Sequence, residues 1–124
     1  MSEITRPSDA RFATQLVDRY LALHAATDLE GVLSVFSQNA TVEDPVGAPV
    51  HQGLDAIRAF YRGAHERNGR LAIERIGAVL ACGDEVAAHV QVRPENPGDA
   101  GKVDVIYTLR LDKAGRIASL RAYF

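Results

Sequence analysis

Asp44 is the residue in this sequence whose placement most strongly suggests chemistry. It closes the run Ala40-Thr41-Val42-Glu43-Asp44-Pro45, in which Thr41 and Val42 favour extended backbone and Pro45 bars its predecessor from the helical region. On such a strand Ala40, Val42 and Asp44 share one face and Thr41 and Glu43 the other, so the carboxyl is expected on the apolar side, with no cation near it in sequence. An isolated carboxylate is costly to bury, and apolar surroundings raise its pKa and with it its strength as a base. An Asp before a Pro is also a common strand end or turn residue, and that reading stands beside the catalytic one. Tyr107 is a second inward polar group. In the strand expected over Val103 to Leu111, Val103, Val105, Tyr107, Leu109 and Leu111 face one way, and Asp104, Thr108 and Arg110 the other. Tyr20 and Tyr61 fall on the apolar stripes of two helices, where a tyrosine is ordinarily a core aromatic whose hydroxyl reaches a partner. A carboxylate base and a phenol donor facing one apolar cavity are what moving a proton beside a carbonyl requires.

Other reactive side chains form no such arrangement. His24, His51, His65 and His89 lack metal-ligand spacing, although His51 and Asp55 would be one turn apart if a helix began before them, so no metal is expected. Cys82, the single cysteine, has no disulfide partner and no histidine beside it, which makes a reducing cytoplasm the expected location. The 14 Lys and Arg against 16 Asp and Glu leave a net charge of -2, with no basic stripe for nucleic acid or an anionic membrane. The first twelve residues have no apolar run like that of a signal peptide, and none elsewhere approaches the ~18 residues of a membrane span. At 124 residues the chain is expected to be one domain over 1–124, burying roughly two-thirds of its unfolded surface, enough for a core and one pocket.

The elements that must position these residues can be read from periodicity. A helix of about four turns is expected from Ser8-Asp9, a cap after Pro7, with Phe12, Leu16, Tyr20 and Leu23 on its stripe. Asp28 caps a shorter helix carrying Leu29, Val32, Leu33 and Phe36. Ser37, Gln38 and Asn39 break that pattern before the strand over Ala40 to Pro45. A third helix carries Leu54, Ile57, Phe60, Tyr61 and Ala64 and ends at Asn68-Gly69. Period two then marks strands over Leu71 to Leu80, Glu85 to Arg93, Val103 to Leu111 and Ile117 to Phe124. Their connections are Cys82-Gly83-Asp84, Pro94 to Gly101, and Asp112 to Gly115. Helices first and antiparallel strands afterwards predict an α+β fold with helices on one face of a curved sheet.

The run Ala40-Thr41-Val42-Glu43-Asp44-Pro45-Val46-Gly47 resembles the signature of the bacterial Δ5-3-ketosteroid isomerases. Arg19-Tyr20, Asp28 to Gly31, Ala56 to Tyr61, Gly115-Arg116-Ile117 and Arg121 to Phe124 extend the likeness from about Ala13 to the last residue, and the 24-residue interval from Tyr20 to Asp44 also fits. The resemblance implies the cone-shaped roll shared with nuclear transport factor 2, in which three N-terminal helices pack on a curved, mostly antiparallel sheet around an apolar pocket. It implies a small apolar ligand such as a 3-oxo steroid, no cofactor, and a homodimer formed through the outer face of the sheet. On it Asp44 is the general base, Tyr20 the donor to the dienolate oxygen and Tyr61 the support of that donor. Phe36, Phe60, Leu109 and Phe124 are expected to line the pocket or core. Members of that family are themselves the usual illustration of carboxyl groups set to different tasks by their surroundings. The family's second oxyanion donor, a protonated aspartic acid, aligns with Tyr107 when the last strands are matched through Leu109-Arg110-Leu111. A phenol is already protonated at neutral pH, so Tyr107 is expected to be the second donor. Asp104, three residues away on a strand, faces the opposite side.

Overall fold

A computed structural model describes residues 7–95 and 101–124, with the backbone alone at residues 7–9. Ser8 and Asp9, expected as a cap before the first helix, fall within it, since the helix already begins at Pro7; most of the connection from Pro94 to Gly101 lies outside the described residues. Helix α1 spans Pro7–Ala25 and buries Ala13, Val17, Tyr20 and Leu21, with Leu16 and Leu23 half-buried beside them. Phe12, expected on the same stripe, is 47% exposed. It leans instead over the turn at Gly115, where an added Cβ would come within 2.6 Å of its ring. Gly115 also has φ +84, a conformation that disfavours every other residue by roughly 1–2 kcal/mol. Gly115→Ala is accordingly expected to lower unfolding stability by about that amount, measured by urea denaturation.

Asp28 accepts a hydrogen bond from the Gly31 amide at 3.0 Å and caps helix α2, Leu29–Ser34. The helix ends two residues before Phe36, which the apolar spacing had placed on it. Phe36 instead opens strand β1, Phe36–Glu43, paired with Ile117. The reason lies in the partner strand: the Ile117 amide donates to the Val35 carbonyl at 2.8 Å and the Ser37 hydroxyl to the Ile117 carbonyl at 3.0 Å. A register shift between Phe36 and Thr41 absorbs Ser37, Gln38 and Asn39, so the residues that read as a break form an irregular stretch of strand. Strand β2, His51–Gln52, pairs with β1, and helix α3 follows over Leu54–Asn68. His51 thus stands on a strand, not one helical turn from Asp55.

The remaining strands are β3 (Leu71–Cys82), β4 (Glu85–Pro94), β5 (Val103–Leu111) and β6 (Ile117–Tyr123). The sheet order is β2-β1-β6-β5-β4-β3, antiparallel throughout except for the parallel pair β1 and β6. Alternation holds along β5, where Val105, Tyr107 and Leu109 are buried and Asp104, Ile106 and Arg110 exposed. On the outer face Asp104 accepts from the His89 ring at 2.8 Å. Gly77, with φ +77, sits in a register shift that bends β3. Asp18 of α1 clasps Arg75 of that strand at 2.7 and 3.1 Å. The fold is α+β, its helices packed on a bent, open, mostly antiparallel sheet. Between the layers Val32, Val42, Ile57, Ile117 and Leu120 are fully buried, each contributing ~1.5–3 kcal/mol of apolar transfer.

Candidate active site

A cavity of about 420 Å³ opens between α3 and the inner face of β4 and β5, within the size range of small-molecule sites. Its wall carries His24 of α1, Phe60 of α3, Val105 and Tyr107 of β5, Asp44 and Phe124. The exposed Arg67, Asn68 and Arg93 mark its mouth.

Asp44 is the first residue past β1 and is held by the turn around it. The Gly47 amide donates to Glu43 Oε2 at 2.9 Å, and Arg121 Nε donates to Glu43 Oε1 at 2.9 Å. The Val46 amide bonds the Ala122 carbonyl at 2.8 Å, and the peptide bond from Asp44 to Pro45 is cis. Glu43 and Arg121 lie on the outer side, so the ion pair anchors the loop without neutralising Asp44. Burial pushes the Asp44 carboxyl above its ordinary pKa, and His51 partly opposes that rise. This is the electrostatic state of a base with strengthened proton affinity.

Three phenols stand in a row beside it. The Tyr20 and Tyr61 hydroxyls are 2.6 Å apart, and Tyr20 meets Tyr107 edge to face with ring centroids 5.7 Å apart. Burial drives all three pKa values up, and Asp44 adds to each rise. Every one is therefore protonated at neutral pH and available as a donor. Of the three, Tyr107 is on the cavity wall. Tyr20 and Tyr61 lie behind it, as do Phe36, which packs on both rings, and Leu109 in the core. Of the side chains expected to bind substrate, Phe60 and Phe124 thus reach the cavity, whereas Tyr61, Phe36 and Leu109 back its wall.

His24 and His65, weighed in the sequence only as metal ligands, form a pair that spacing for a metal does not reveal. His24 Nδ1 lies 3.2 Å from His65 Nε2, and His24 stacks on Tyr20 with centroids 5.7 Å apart. The signal was spacing: His24 follows Tyr20 by four residues as His65 follows Tyr61, so two facing helices bring both pairs together. Burial, with a smaller effect of His65, lowers the His24 pKa from 6.5 to about 4. An imidazole whose folded pKa is depressed binds a proton more readily in the unfolded chain. Stability is thus lost as pH falls from about 6.5 to about 4, by on the order of 3 kcal/mol in total. Wild type compared with His24→Gln is expected to lose stability over that window and no further below it, as read from denaturation at successive pH values. Among the described residues no group of three or more His, Cys, Asp or Glu is placed to hold a metal ion, and Cys82 is exposed.

A helical layer packed on an open mixed sheet is the architecture of the nuclear transport factor 2-like proteins. Within that class the chain belongs to the SnoaL-like domain family, which it matches over residues 17–120. It is 32% identical over 112 residues to a steroid Delta-isomerase of Nocardioides simplex, covering 87% of this chain and 85% of that protein. Among solved structures it is similar to the epoxide hydrolase/cyclase-like enzyme SalBIII, associated with pyran ring formation in the polyether salinomycin. That match has a TM-score of 0.78 and 26% identity, and covers 93% of this chain and 92% of the other. These relatives are enzymes. No helix among the described residues is long and apolar enough to cross a membrane.

Proposed function

We propose that the protein is a Δ5-3-ketosteroid isomerase, moving a carbon–carbon double bond from the β,γ position into conjugation with a 3-ketone. The observation that carries this reading is Asp44, a carboxylate of raised proton affinity on the wall of an apolar cavity that also bears the Tyr107 hydroxyl. The ionised carboxylate takes a proton from the carbon between ketone and alkene. The C–H electron pair becomes a new double bond, and negative charge moves to the ketone oxygen, giving a dienolate. Tyr107 donates a hydrogen bond to that oxygen, and Tyr20, backed by Tyr61, supports Tyr107 from behind. Asp44 then returns the proton two carbons away. Atoms and electrons balance without an external oxidant or a cofactor. On this reading the chain acts in the cytoplasm as a homodimer, an arrangement supported by Ile106 and Tyr123, exposed and paired on the outer face of the sheet.

Incubation with 5-androstene-3,17-dione, followed by ultraviolet absorbance of the conjugated enone, tests the proposal. Turnover above that of an Asp44→Asn control is expected, and none above it would sink the isomerase reading. A second reading, proton transfer on another polycyclic ketone of polyketide type, draws on Tyr107 in place of the family's acid and on the likeness to SalBIII. Tight binding of a phenolic steroid without turnover would favour a binding protein instead.

A further inference from the structure

Among the described residues that line the cavity, Asp44 is the one acid, and Arg67 and Arg93 carry the guanidiniums. The backbone sets them at opposite ends. Asp44 lies two residues beyond Val42, which pairs with His51 of β2, and the His51 ring rests on Phe60 with centroids 4.7 Å apart. Ring contacts from Tyr107 through Tyr20 and Tyr61 to Phe60 hold the opposite wall at that same level. Arg67 follows Phe60 by seven residues, so the same side of α3 carries it two turns, about 10 Å, further on. Along β5 the inner residues Tyr107, Val105 and Val103 lead toward the mouth over about 13 Å, and Val103 pairs with Val92, the neighbour of Arg93. Neither arginine has a carboxylate partner among the described residues. Arg93 Nη1 reaches only the Pro94 carbonyl, at 3.4 Å. The Arg67 guanidinium rests over Gly63 of the preceding turn, where an added Cβ would stand 3.0 Å from Nη1, and makes no hydrogen bond that turning to a ligand would break.

We propose that the preferred ligand is a polycyclic keto acid, whose ketone lies between Asp44 and Tyr107 and whose carboxylate, on the far end of the ring system, is bound at the mouth by Arg67 with Arg93 beside it. The inference rests on the reading of this cavity as a site for a polycyclic ketone. Between the two ends Phe60, Ala64 and Val105 present apolar surface to the rings. A guanidinium fork offers a carboxylate two parallel N–H donors, a geometry an ester cannot exploit with charge. The same arrangement orients the molecule. Asp44 must be ionised to act as a base, and an ionised Asp44 repels a ligand carboxylate, so an acid enters with its ketone toward Asp44 and its charge toward the arginines.

The test compares 3-oxo-4-cholenic acid, a conjugated ketone with a carboxylate on its side chain, with its methyl ester, by calorimetric titration of the full chain at low salt. The acid is expected to bind roughly fivefold tighter, the upper end of the range for a partly exposed ion pair. That preference should shrink as salt rises and the screening length contracts from ~10 Å at ~0.1 M to ~3 Å at ~1 M. Arg67→Gln should lower the ratio of acid to ester affinity, and Arg67→Gln with Arg93→Gln should bring it to about one. Arg67→Lys, which keeps the charge and loses the fork, should retain part of it, and Arg67→Glu should invert it in favour of the ester. Equal affinities in the wild type, a preference indifferent to salt, or one that survives the double replacement overturns the proposal. The Δ5 isomers of the same acid and ester, followed by enone absorbance, separate the two claims. A binding preference with no turnover keeps the arginine subsite and removes the isomerase, and turnover of both compounds with equal affinities does the reverse.

Discussion

Replacing Asp44 with asparagine is expected to lower kcat/KM by ~10²–10⁴-fold, the range lost when a positioned general base is removed, and at the same time to raise the melting temperature at neutral pH. Both effects have one cause. Burial lifts the Asp44 pKa, and only His51 works against it. A group whose folded pKa stands above its unfolded value favours folding fully while protonated in both states. That contribution declines as pH rises through the folded pKa, so at pH 7 the fold carries a charged carboxylate its surroundings disfavour. The amide has nearly the same shape and no charge to desolvate. The gain in melting temperature should therefore be small below the ordinary aspartate pKa of 3.8 and reach a plateau above the raised one. Activity of the wild type should climb over the upper part of the same window as the base ionises. Thermal unfolding of both proteins across pH, beside the pH profile of kcat/KM, measures the two together. A melting temperature that falls in Asp44→Asn at pH 7 would mean that the carboxylate has a stabilising partner, and the account of its basicity would fail.

How much of this was legible before the structure depends on the kind of information each feature needs. The inward face of Tyr107 followed from alternation along Val103–Leu111, and the shared face of Ala40 and Val42 from the same rule, because pleating is a local property with period two. The junction at Phe36 was not legible in that way. A phenylalanine three residues after Leu33 suits a helix stripe and the start of a strand equally well, and what decided it was pairing with Ile117, eighty-one residues later. Ser37, Gln38 and Asn39 read as a break because an irregular strand has no period to detect.

Depth within the site was hidden for a further reason. Periodicity says which way a side chain points, not which of several inward side chains stands in front. Tyr20, Tyr61 and Tyr107 all point to the interior, and only the tertiary arrangement of the helices on the sheet puts Tyr107 at the cavity and the other two behind it. The 41-residue separation of Tyr20 from Tyr61 is repeated between His24 and His65, so the tyrosine pairing carries the histidine pairing with it. Recognising it needs the two helices to be known as neighbours.

That ordering of the phenols sets the second large effect: Tyr107→Phe is expected to reduce kcat by ~10²–10³-fold, and Tyr20→Phe by less, although the resemblance alone assigns the principal donor to Tyr20. A hydroxyl has one proton to give. If Tyr20 donated to Tyr61, Tyr107 could spend its proton on Tyr20, and none would be directed at the cavity. With Tyr61 donating to Tyr20 and Tyr20 to Tyr107, the last proton in the row is free for a ligand oxygen, and each bond polarises the next. Negative charge developing on that oxygen favours this direction, since it draws every proton in the row toward itself. Removing the last hydroxyl deletes the donor, whereas removing Tyr20 leaves Tyr107 in place with a weaker hydrogen bond to give. A graded loss in kcat, greatest for Tyr107→Phe, intermediate for Tyr20→Phe and least for Tyr61→Phe, with KM changing little, is the expected pattern in steady-state kinetics. Full turnover in Tyr107→Phe beside a collapse in Tyr20→Phe would show that the substrate oxygen passes Tyr107 and reaches Tyr20 directly, and the order of the row would have to be reversed.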